Sequence, residues 1–347
     1  MAASARKALL AFLVFVLLPW QSATARASEE AFYRGKTVRI VVGYSPGGGF
    51  DTFARLVARY LGRHIPGEPT VIVQNMPGAG SLVAANWVYG QQPDGRTVVT
   101  FHFGLVTQAL VGDPLVKFDP ARFVWLGDPS IGGLPQVLWI RNDLSIRSVD
   151  DLRKREKPLA LGVTGRAEGP AIAGEFLRYL GFPITNISGY KGSNDIMVAL
   201  ERNEVDGRII GQSTMQMIYA RYIQEGLVRP LLSLGKEPRL APLSGVATLE
   251  DLNLNTGQRN LAEFLSRTWV ALRPFALPPG VPAARVAALR NAFSQVLKDP
   301  QLIKEAERQG TEISPLSGED LSQIVKELAA APRDVVESYK TFIGLKN

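Results

Sequence analysis

The stretch GKTVRIVVGYSPGGGFD, residues 35–51, decides the fold class. Within it, Val38–Val42 is a run of β-branched residues interrupted by one arginine, which predicts a buried strand. A glycine-rich loop follows at residues 44–49, and apolar residues then recur at helical spacing until Pro66-Gly67. The stretch therefore predicts a strand, a tight loop and a helix in that order.

The same unit recurs further along the chain. A second strand is predicted at 71–73, a helix at 81–89 and a third strand at 97–101, and similar units occupy residues 159–210. Strands that alternate with helices indicate parallel sheets covered by helices on both faces. A chain of 347 residues also favours two domains over one. The sequence therefore predicts two α/β lobes.

Helical patterns dominate the last part of the chain, from residue 283 to residue 342. Ser317, three residues before Asp320, predicts a capping box at the start of one of these helices. Periodicity alone does not indicate which lobe this tail packs against.

The first 27 residues have the features of a secretory signal. Arg6 and Lys7 precede a mostly apolar run at residues 8–20, and Ala25-Arg26-Ala27 matches a cleavage site. The run is shorter than the ~20 residues that span a membrane. Removal of three basic residues lowers the net charge from +7 to 7 − 3 = +4. We expect a periplasmic protein.

Composition and motif spacing exclude several functions. The chain has no cysteine, so disulfides and thiolate chemistry are excluded. No run of basic residues indicates nucleic-acid binding. The two histidines, His64 and His102, lie far apart, so no metal centre is expected. The P-loop spacing at Gly43 and Gly48 lacks the lysine, and residues 78–83 end in valine where a dinucleotide fingerprint has a small residue. No cofactor is expected.

Residues 43–47 match the G-x-S-x-G pattern of a hydrolase nucleophile, with Ser45 at its centre. The next residue is Pro46, which has no backbone N–H to donate to an oxyanion. His64 is predicted to cap a helix end, and His102, at the end of the third strand, either packs or touches ligand. A secreted hydrolase that uses Ser45 stays open as the less favoured alternative.

Strand-to-helix junctions rich in glycine occur at residues 43–51, 75–81, 162–169 and 188–194. In open parallel sheets, ligands bind beyond the carboxyl ends of the strands, where helix N-termini present free N–H groups. Each junction alone is explained by turn formation. Four junctions shared between two lobes favour a cleft that binds a carboxylate or a phosphate.

Residues 35–51, together with VIVQNMPGAGS at 71–81, GYKGS at 189–193, EVDG at 204–207 and Trp269, resemble the solute-binding receptors of tripartite tricarboxylate transporters, the Bug family. The resemblance implies a two-lobed periplasmic binding protein of the Venus flytrap type, type II-like, in which each lobe is a mostly parallel sheet flanked by helices. Lobe 1 would comprise residues 28–130 plus 268–347, and lobe 2 residues 131–267. The two crossings between the lobes would form a hinge.

The resemblance further implies a monomer, not an enzyme, that captures a small organic carboxylate and delivers it to the membrane components of a tripartite transporter. A module that presents ligand to a signalling partner is an alternative. Asp51 either caps the loop or accepts a hydrogen bond from ligand, and Arg166 either binds a second carboxylate or pairs with Glu168 in solvent. The candidate ligand-binding residues are Tyr44, Ser45, Gly47, Gly48, Phe50, Asp51, Gly78, Ala79, Gly80, His102, Thr164, Arg166, Gly192, Ser193 and Asp206.

Overall fold

Two six-stranded sheets, each flanked by helices, form the framework of the protein in a computed structural model. The structure describes residues 27–129, 136–235, 243–269, 271–309 and 313–345. The predicted signal peptide lies almost wholly outside these residues. Among the described residues, no helix is long and apolar enough to cross a membrane.

The first sheet contains β1 (Thr37–Val42), β2 (Thr70–Asn75), β3 (Thr97–Thr100), β4 (Val124–Asp128), β11 (Phe275–Leu277) and β12 (Leu316–Ser317). Its strand order is β2-β1-β3-β11-β4-β12. Strand β1 runs parallel to β2 and β3, as the βαβαβ pattern predicts. Strand β11 arrives from the far end of the chain and runs antiparallel to both β3 and β4.

The second sheet contains β5 (Gln136–Arg141), β6 (Leu159–Gly162), β7 (Ile184–Ile187), β8 (Gly207–Gly211), β9 (Val228–Ser233) and β10 (Ala247–Thr248). Its order, β7-β6-β8-β5-β9-β10, repeats that of the first sheet. Strand β5 takes the position of β11 and runs antiparallel to β8 and β9.

The predicted two-sheet α/β fold is therefore confirmed, and both sheets are mixed. The parallel strands belong to the βαβ units that the sequence shows. The antiparallel strands β5 and β11 each follow a point where the chain passes from one sheet to the other, so each enters its sheet from the opposite direction.

The helices are α1 (Gly49–Leu61), α2 (Leu82–Tyr89), α3 (Gly104–Leu110), α4 (Val149–Arg153), α5 (Gly169–Tyr179), α6 (Ser193–Glu201), α7 (Gln212–Ile218), α8 (Ala220–Gln224), α9 (Thr256–Arg267), α10 (Ala283–Val296), α11 (Pro300–Arg308), α12 (Gly318–Ala329) and α13 (Arg333–Phe342). Residues 27–33 are also helical. The apolar side of α1, with Phe53, Leu56 and Val57, is buried against the first sheet, as its spacing predicts.

The C-terminal helices contact both halves of the molecule. Helices α10 and α11 pack on α1, and α12 packs on β4. Helix α13 contacts α9 and also α5 of the second half, where the ring centroids of Phe342 and Phe176 are 6.4 Å apart. The tail therefore joins the layers of the two sheets.

The capping box at the start of α12 is confirmed. The Ser317 hydroxyl oxygen accepts a hydrogen bond from the Asp320 N–H at 3.1 Å, and the Asp320 carboxylate accepts one from the Ser317 N–H at 2.8 Å. Because α12 packs on the edge strand β4, this start fixes the tail on the first sheet.

We expect Ser317→Ala to lower the free energy of unfolding by about 1 kcal/mol, because the mutation leaves an N–H of the first turn without an acceptor. Urea denaturation provides the measurement. Ser322→Ala in the same helix is the control: it loses only a bond to the Gly318 carbonyl one turn earlier, so we expect a change within about 0.5 kcal/mol. Equal losses in the two variants would contradict a stabilising role for the cap.

Candidate functional site

The loops at the carboxyl ends of the two sheets enclose a cavity of about 60 Å³. One water molecule needs about 10–15 Å³ on this scale, so the cavity suits a compact ligand. The walls are formed by Tyr44, Gly49, Phe50, His102, Gln136, Glu168, Pro170, Ser193, Arg208, Ile210, Gly211, Thr214, Leu272 and Arg273. A larger groove of about 650 Å³ runs along the outside of α10, away from the strand ends, and contains none of these residues.

Arg273 is the buried cation on one side of the cavity. It lies where the chain returns to the first sheet, and its backbone N–H donates to the Asp128 carboxylate at 2.7 Å. One guanidinium nitrogen, Nη2, donates to the Thr214 hydroxyl, while Nε and Nη1 are buried without a hydrogen-bond partner. Burial lowers the pKa of Arg273 to about 10, which Asp128 partly opposes. The side chain therefore keeps its charge at neutral pH and has N–H donors to spare.

Arg208 is the second buried cation, and it comes from β8 in the other sheet. Its Nη1 donates to the Ser193 carbonyl at 3.2 Å, and its Nε has no partner. Glu168, also buried, carries the opposite charge nearby. Burial raises the pKa of Glu168, and hydrogen bonds from Thr164 and the charge of Arg208 oppose that change. Arg208 therefore has a counter-charge in the cavity wall.

Aromatic rings form the wall between the two cations. The ring centroids of Tyr44 and Phe50 are 4.5 Å apart, and those of Phe50 and His102 are 6.3 Å apart. The Arg273 guanidinium carbon lies 4.4 Å from the centre of the Phe53 ring, beneath the cavity. This packing holds the guanidinium in place through its face and leaves its edge for hydrogen bonding.

His102 is an uncharged member of this wall. Its Nδ1 accepts a hydrogen bond from the Gly104 N–H at 2.9 Å, which assigns the proton of the neutral ring to Nε2. Burial lowers the pKa of His102 to about 4, and the charge of Arg273 acts in the same direction. The ring therefore contributes a neutral N–H donor.

Contacts between the two sides close the cavity. The Ser45 N–H donates to the Lys191 carbonyl at 3.1 Å, and the Ser45 hydroxyl donates to the Asp195 carboxylate at 3.2 Å. The Asn194 side-chain amide donates to the Pro46 carbonyl at 3.1 Å. These hydrogen bonds join the loop after β1 to the start of α6 in the other half.

The loop after β2 makes a second closing contact, and it requires an unusual backbone. Its residues 78–81 all have positive φ, including the non-glycine residues Ala79 and Ser81. This shape brings the loop against Gly165, where an added Cβ would lie 2.5 Å from the Ala79 carbonyl carbon. Glycine is therefore required at 165 by the close approach of two backbones.

The structure brings four of the predicted ligand-binding residues to the cavity wall: Tyr44, Phe50, His102 and Ser193. Ser45, Ala79, Gly80 and Gly192 lie in the closing contacts, and Gly48 and Gly78 belong to the same two loops. Thr164 supports Glu168 through its backbone N–H and its hydroxyl. Arg166 is largely exposed and pairs with Asp113, and it does not form the expected pair with Glu168.

Asp51 lies behind the loop after β1. Its carboxylate accepts hydrogen bonds from the Gly47 N–H at 2.9 Å, from Arg55 at 2.8 Å and from Asn75 at 2.8 Å. Its pKa is lowered because these hydrogen bonds outweigh the opposing effect of burial. Asp51 and Gly47 therefore shape the loop, which is the capping role that the sequence suggests.

Two residues lie elsewhere. Asp206 precedes β8, so it lies at the amino ends of the strands, where it accepts a hydrogen bond from the Ala160 N–H and pairs with Arg155. The predicted ligand contact of Asp206 is not made at this cavity. His64 is not a helix cap but lies 2.9 Å from the Asp299 carboxylate on the outer surface.

The two arginines were missed by sequence reasoning, although both left a signal. Arg208 interrupts an apolar strand, and Arg273 follows an apolar segment and precedes a proline. An arginine inside a buried strand needs a partner or a ligand. Among the described residues, no cluster of histidine, aspartate and glutamate is arranged to hold a metal ion.

Comparison with known proteins gives one consistent result. The family model described as tripartite tricarboxylate transporter family receptor matches residues 53–340. A UPF0065 protein from the TAR-I ttuE-ttuC' intergenic region of Agrobacterium vitis is 28% identical over 304 residues, which are 86% of this chain and 81% of that protein.

Solved structures agree in fold. The periplasmic binding protein BugD superposes with a TM-score of 0.73 at 22% identity, covering 90% of this chain and 99% of that chain. MatC from Rhodopseudomonas palustris with bound malate gives a TM-score of 0.69 at 20% identity, covering 89% and 99%. At these identities the likeness concerns the fold.

We expect His102 to make stability depend on pH. Its pKa in the folded protein, about 4, is below its ordinary value of 6.5, so the unfolded chain takes up a proton first and stability falls as the pH drops from 6.5 towards 4. At pH 5 this loss amounts to about 2 kcal/mol. Urea denaturation at pH 7 and pH 5 should show a loss in the wild type that exceeds that in His102→Gln. Equal losses would mean that the ring is not buried in solution.

Proposed function

Since the chain belongs to the tripartite tricarboxylate transporter receptor family, we propose that it captures a small organic carboxylate in the cavity between its sheets. The bound acid would then be delivered to the membrane components of a tripartite transporter. Family members are periplasmic binding proteins, and residues 1–27 fit a signal peptide that would direct the chain to the periplasm.

The observation that carries this proposal is the pair of buried arginines. Three buried nitrogens of Arg208 and Arg273 have no hydrogen-bond partner, and a buried charged donor left unpaired is costly. Carboxylate oxygens are acceptors that match a guanidinium. Because MatC holds malate within the same fold, a carboxylate is the anion that we propose here.

The proposed mechanism is closure around the ligand. Residues 28–130 plus 268–347 would form one lobe and 131–267 the other, with a hinge at the two crossings. The residues of the cavity wall would contact the ligand, while Ser45, Gly80, Gly165 and Gly192 would form the lobe-to-lobe contacts. Ligand stabilises the closed form by its differential affinity for that form. A monomer suffices, because one chain supplies every wall of the cavity.

The other two candidate functions have less support. The Ser45 hydroxyl donates to Asp195 in a closing contact, which favours a structural role over that of a nucleophile. A sensor module would use the same cavity and differ only in its partner. The matching family is one of transporter receptors, which favours delivery to a transporter.

We expect at least one carboxylate to stabilise the protein in a screen of citrate, dicarboxylates, aromatic carboxylates, acidic amino acids and phosphate esters. A ligand at about 100 times its Kd stabilises by about 2.7 kcal/mol, which raises Tm by a few degrees. Thermal unfolding of the mature chain measures the shift. Stabilisation by phosphate esters alone, with every carboxylate inactive, would show that the proposed ligand class is wrong.

We expect Gly165→Ala to weaken the binding of the best acid in that screen at least tenfold. The added methyl group would meet the Ala79 and Gly80 backbone atoms at 2.5–2.6 Å, so the two sides cannot close fully. Calorimetry measures the affinity, and circular dichroism checks the fold.

Gly257→Ala is the matched control for this prediction. Its added methyl group would lie 3.5 Å from the nearest side-chain atom, in an exposed helix remote from the cavity. We expect wild-type affinity for this variant. Wild-type affinity in Gly165→Ala as well would argue against closure of these loops on the ligand.

A further inference from the structure

The two buried arginines of the cavity have different electrostatic surroundings. Arg208 shares its side of the cavity with the buried carboxylate of Glu168. At Arg273 the nearby carboxylate, Asp128, binds the backbone N–H and is not part of the cavity wall. A ligand therefore meets an unopposed cation at one end of the cavity and a cation beside an anion at the other.

We infer that the ligand is a singly charged hydroxy acid, with its carboxylate on Arg273 and its hydroxyl group between Arg208 and Glu168. This inference rests on the proposed function, because it names which carboxylate the same cavity selects. It adds Arg273, Arg208 and Glu168 as the residues that decide specificity.

The Arg273 end has two features that favour a negative charge. The guanidinium is 96% buried, and its Nε and Nη1 have no acceptor in the protein. It also lies against the N-terminus of α1, where an added Cβ at Gly49 would be 3.0 Å from Nη2. Gly48, at the cap position of that helix, has no side chain to accept from the free N–H groups.

A helix N-terminus carries a partial positive charge, so a cation placed beside it raises the local potential further. A carboxylate here would accept hydrogen bonds from the guanidinium and gain from the helix dipole at the same time. This combination makes the Arg273 end the place for the ligand's acidic group.

The Arg208 end favours an uncharged polar group. A second carboxylate would gain from Arg208 but would be repelled by Glu168, and an ammonium group would meet the reverse situation. A hydroxyl group can accept a hydrogen bond from Arg208 and donate one to Glu168, so it satisfies both without adding a charge. The cavity between the two ends is lined by Tyr44 and Phe50, which suits a short hydrocarbon chain.

Matched ligand pairs test the inference. Calorimetry at pH 7 would compare 3-hydroxypropionate with malonate, 4-hydroxybutyrate with succinate, and 5-hydroxypentanoate with glutarate. The two members of a pair have equal chain length and differ only in the group at one end. We expect at least one hydroxy acid to bind ten times more tightly than its diacid partner, and more tightly than the corresponding ω-amino acid.

Variants test the two ends separately with the best probe of that series. Arg273→Gln should weaken the binding of the hydroxy acid and of the diacid alike, at least tenfold. Glu168→Gln should reduce or abolish the preference for the hydroxy acid over the diacid, because the repulsion of the second carboxylate is removed. Circular dichroism and Tm confirm that each variant is folded.

Arg153→Gln is the control for the loss of one positive charge. Arg153 also lies over a phenylalanine ring, with its guanidinium carbon 4.3 Å from the centre of Phe182, but it is exposed and outside the cavity. We expect its affinities to equal those of the wild type. A loss as large as that in Arg273→Gln would mean that net charge, and not Arg273, controls binding, which overturns the inference.

The remaining outcomes separate the inference from the proposed function. Diacids that bind as tightly as the hydroxy acids, or folded Arg273→Gln that keeps its affinity, would overturn the inference and leave carboxylate capture standing. If the wild type bound neither these acids nor any carboxylate of the broader screen, the proposed function would fail and the inference with it.

Discussion

The hydrogen bond between the Arg273 N–H and the Asp128 carboxylate ties together the two points at which the chain passes between the sheets. Asp128 ends β4, just before the first crossing, and Arg273 lies in the second crossing, just before β11. Because both groups are buried, this bond fixes the backbone of Arg273 in the interior. The direction of its side chain follows from that constraint: the guanidinium lies between the Phe53 ring and Thr214, with its remaining donors at the cavity.

Glycine has two separate uses around this centre. At Gly49 the absence of a side chain lets the Arg273 guanidinium approach the start of α1. At Gly165 and Gly192 it lets the backbone of one half approach the backbone or Ser45 of the other. The first use shapes the binding site, and the second allows the halves to meet. A glycine-rich loop in the sequence thus indicates close approach, but the approaching group is set by the tertiary fold.

The sequence predicts the fold well because local patterns determine it. The β-branched run at Val38–Val42, the helix that starts at Gly49 and the capping box at Ser317 all depend on neighbours in the chain. The site is predicted only in part, because it depends on distant contacts. Glycine loops point to the strand ends, and Tyr44, Phe50, His102 and Ser193 are found there. Nothing local shows that Arg208 and Arg273, 65 residues apart, reach one cavity, or that Asp206 lies at the opposite strand ends.

The buried arginines also explain how binding can be coupled to closure. In an open form, water can hydrogen-bond to the guanidinium groups, so their donors are satisfied. Closure removes them from water, and the free energy of that step is unfavourable unless an acceptor takes the place of the lost water. A ligand with a carboxylate provides that acceptor only when both halves surround it, so its affinity for the closed form is greater than for the open form. A neutral apolar cavity would close with or without solute. The same charge that selects an acid therefore makes the closed shape a signal that the acid is present, which is the property a transporter needs in order to distinguish loaded from unloaded receptor.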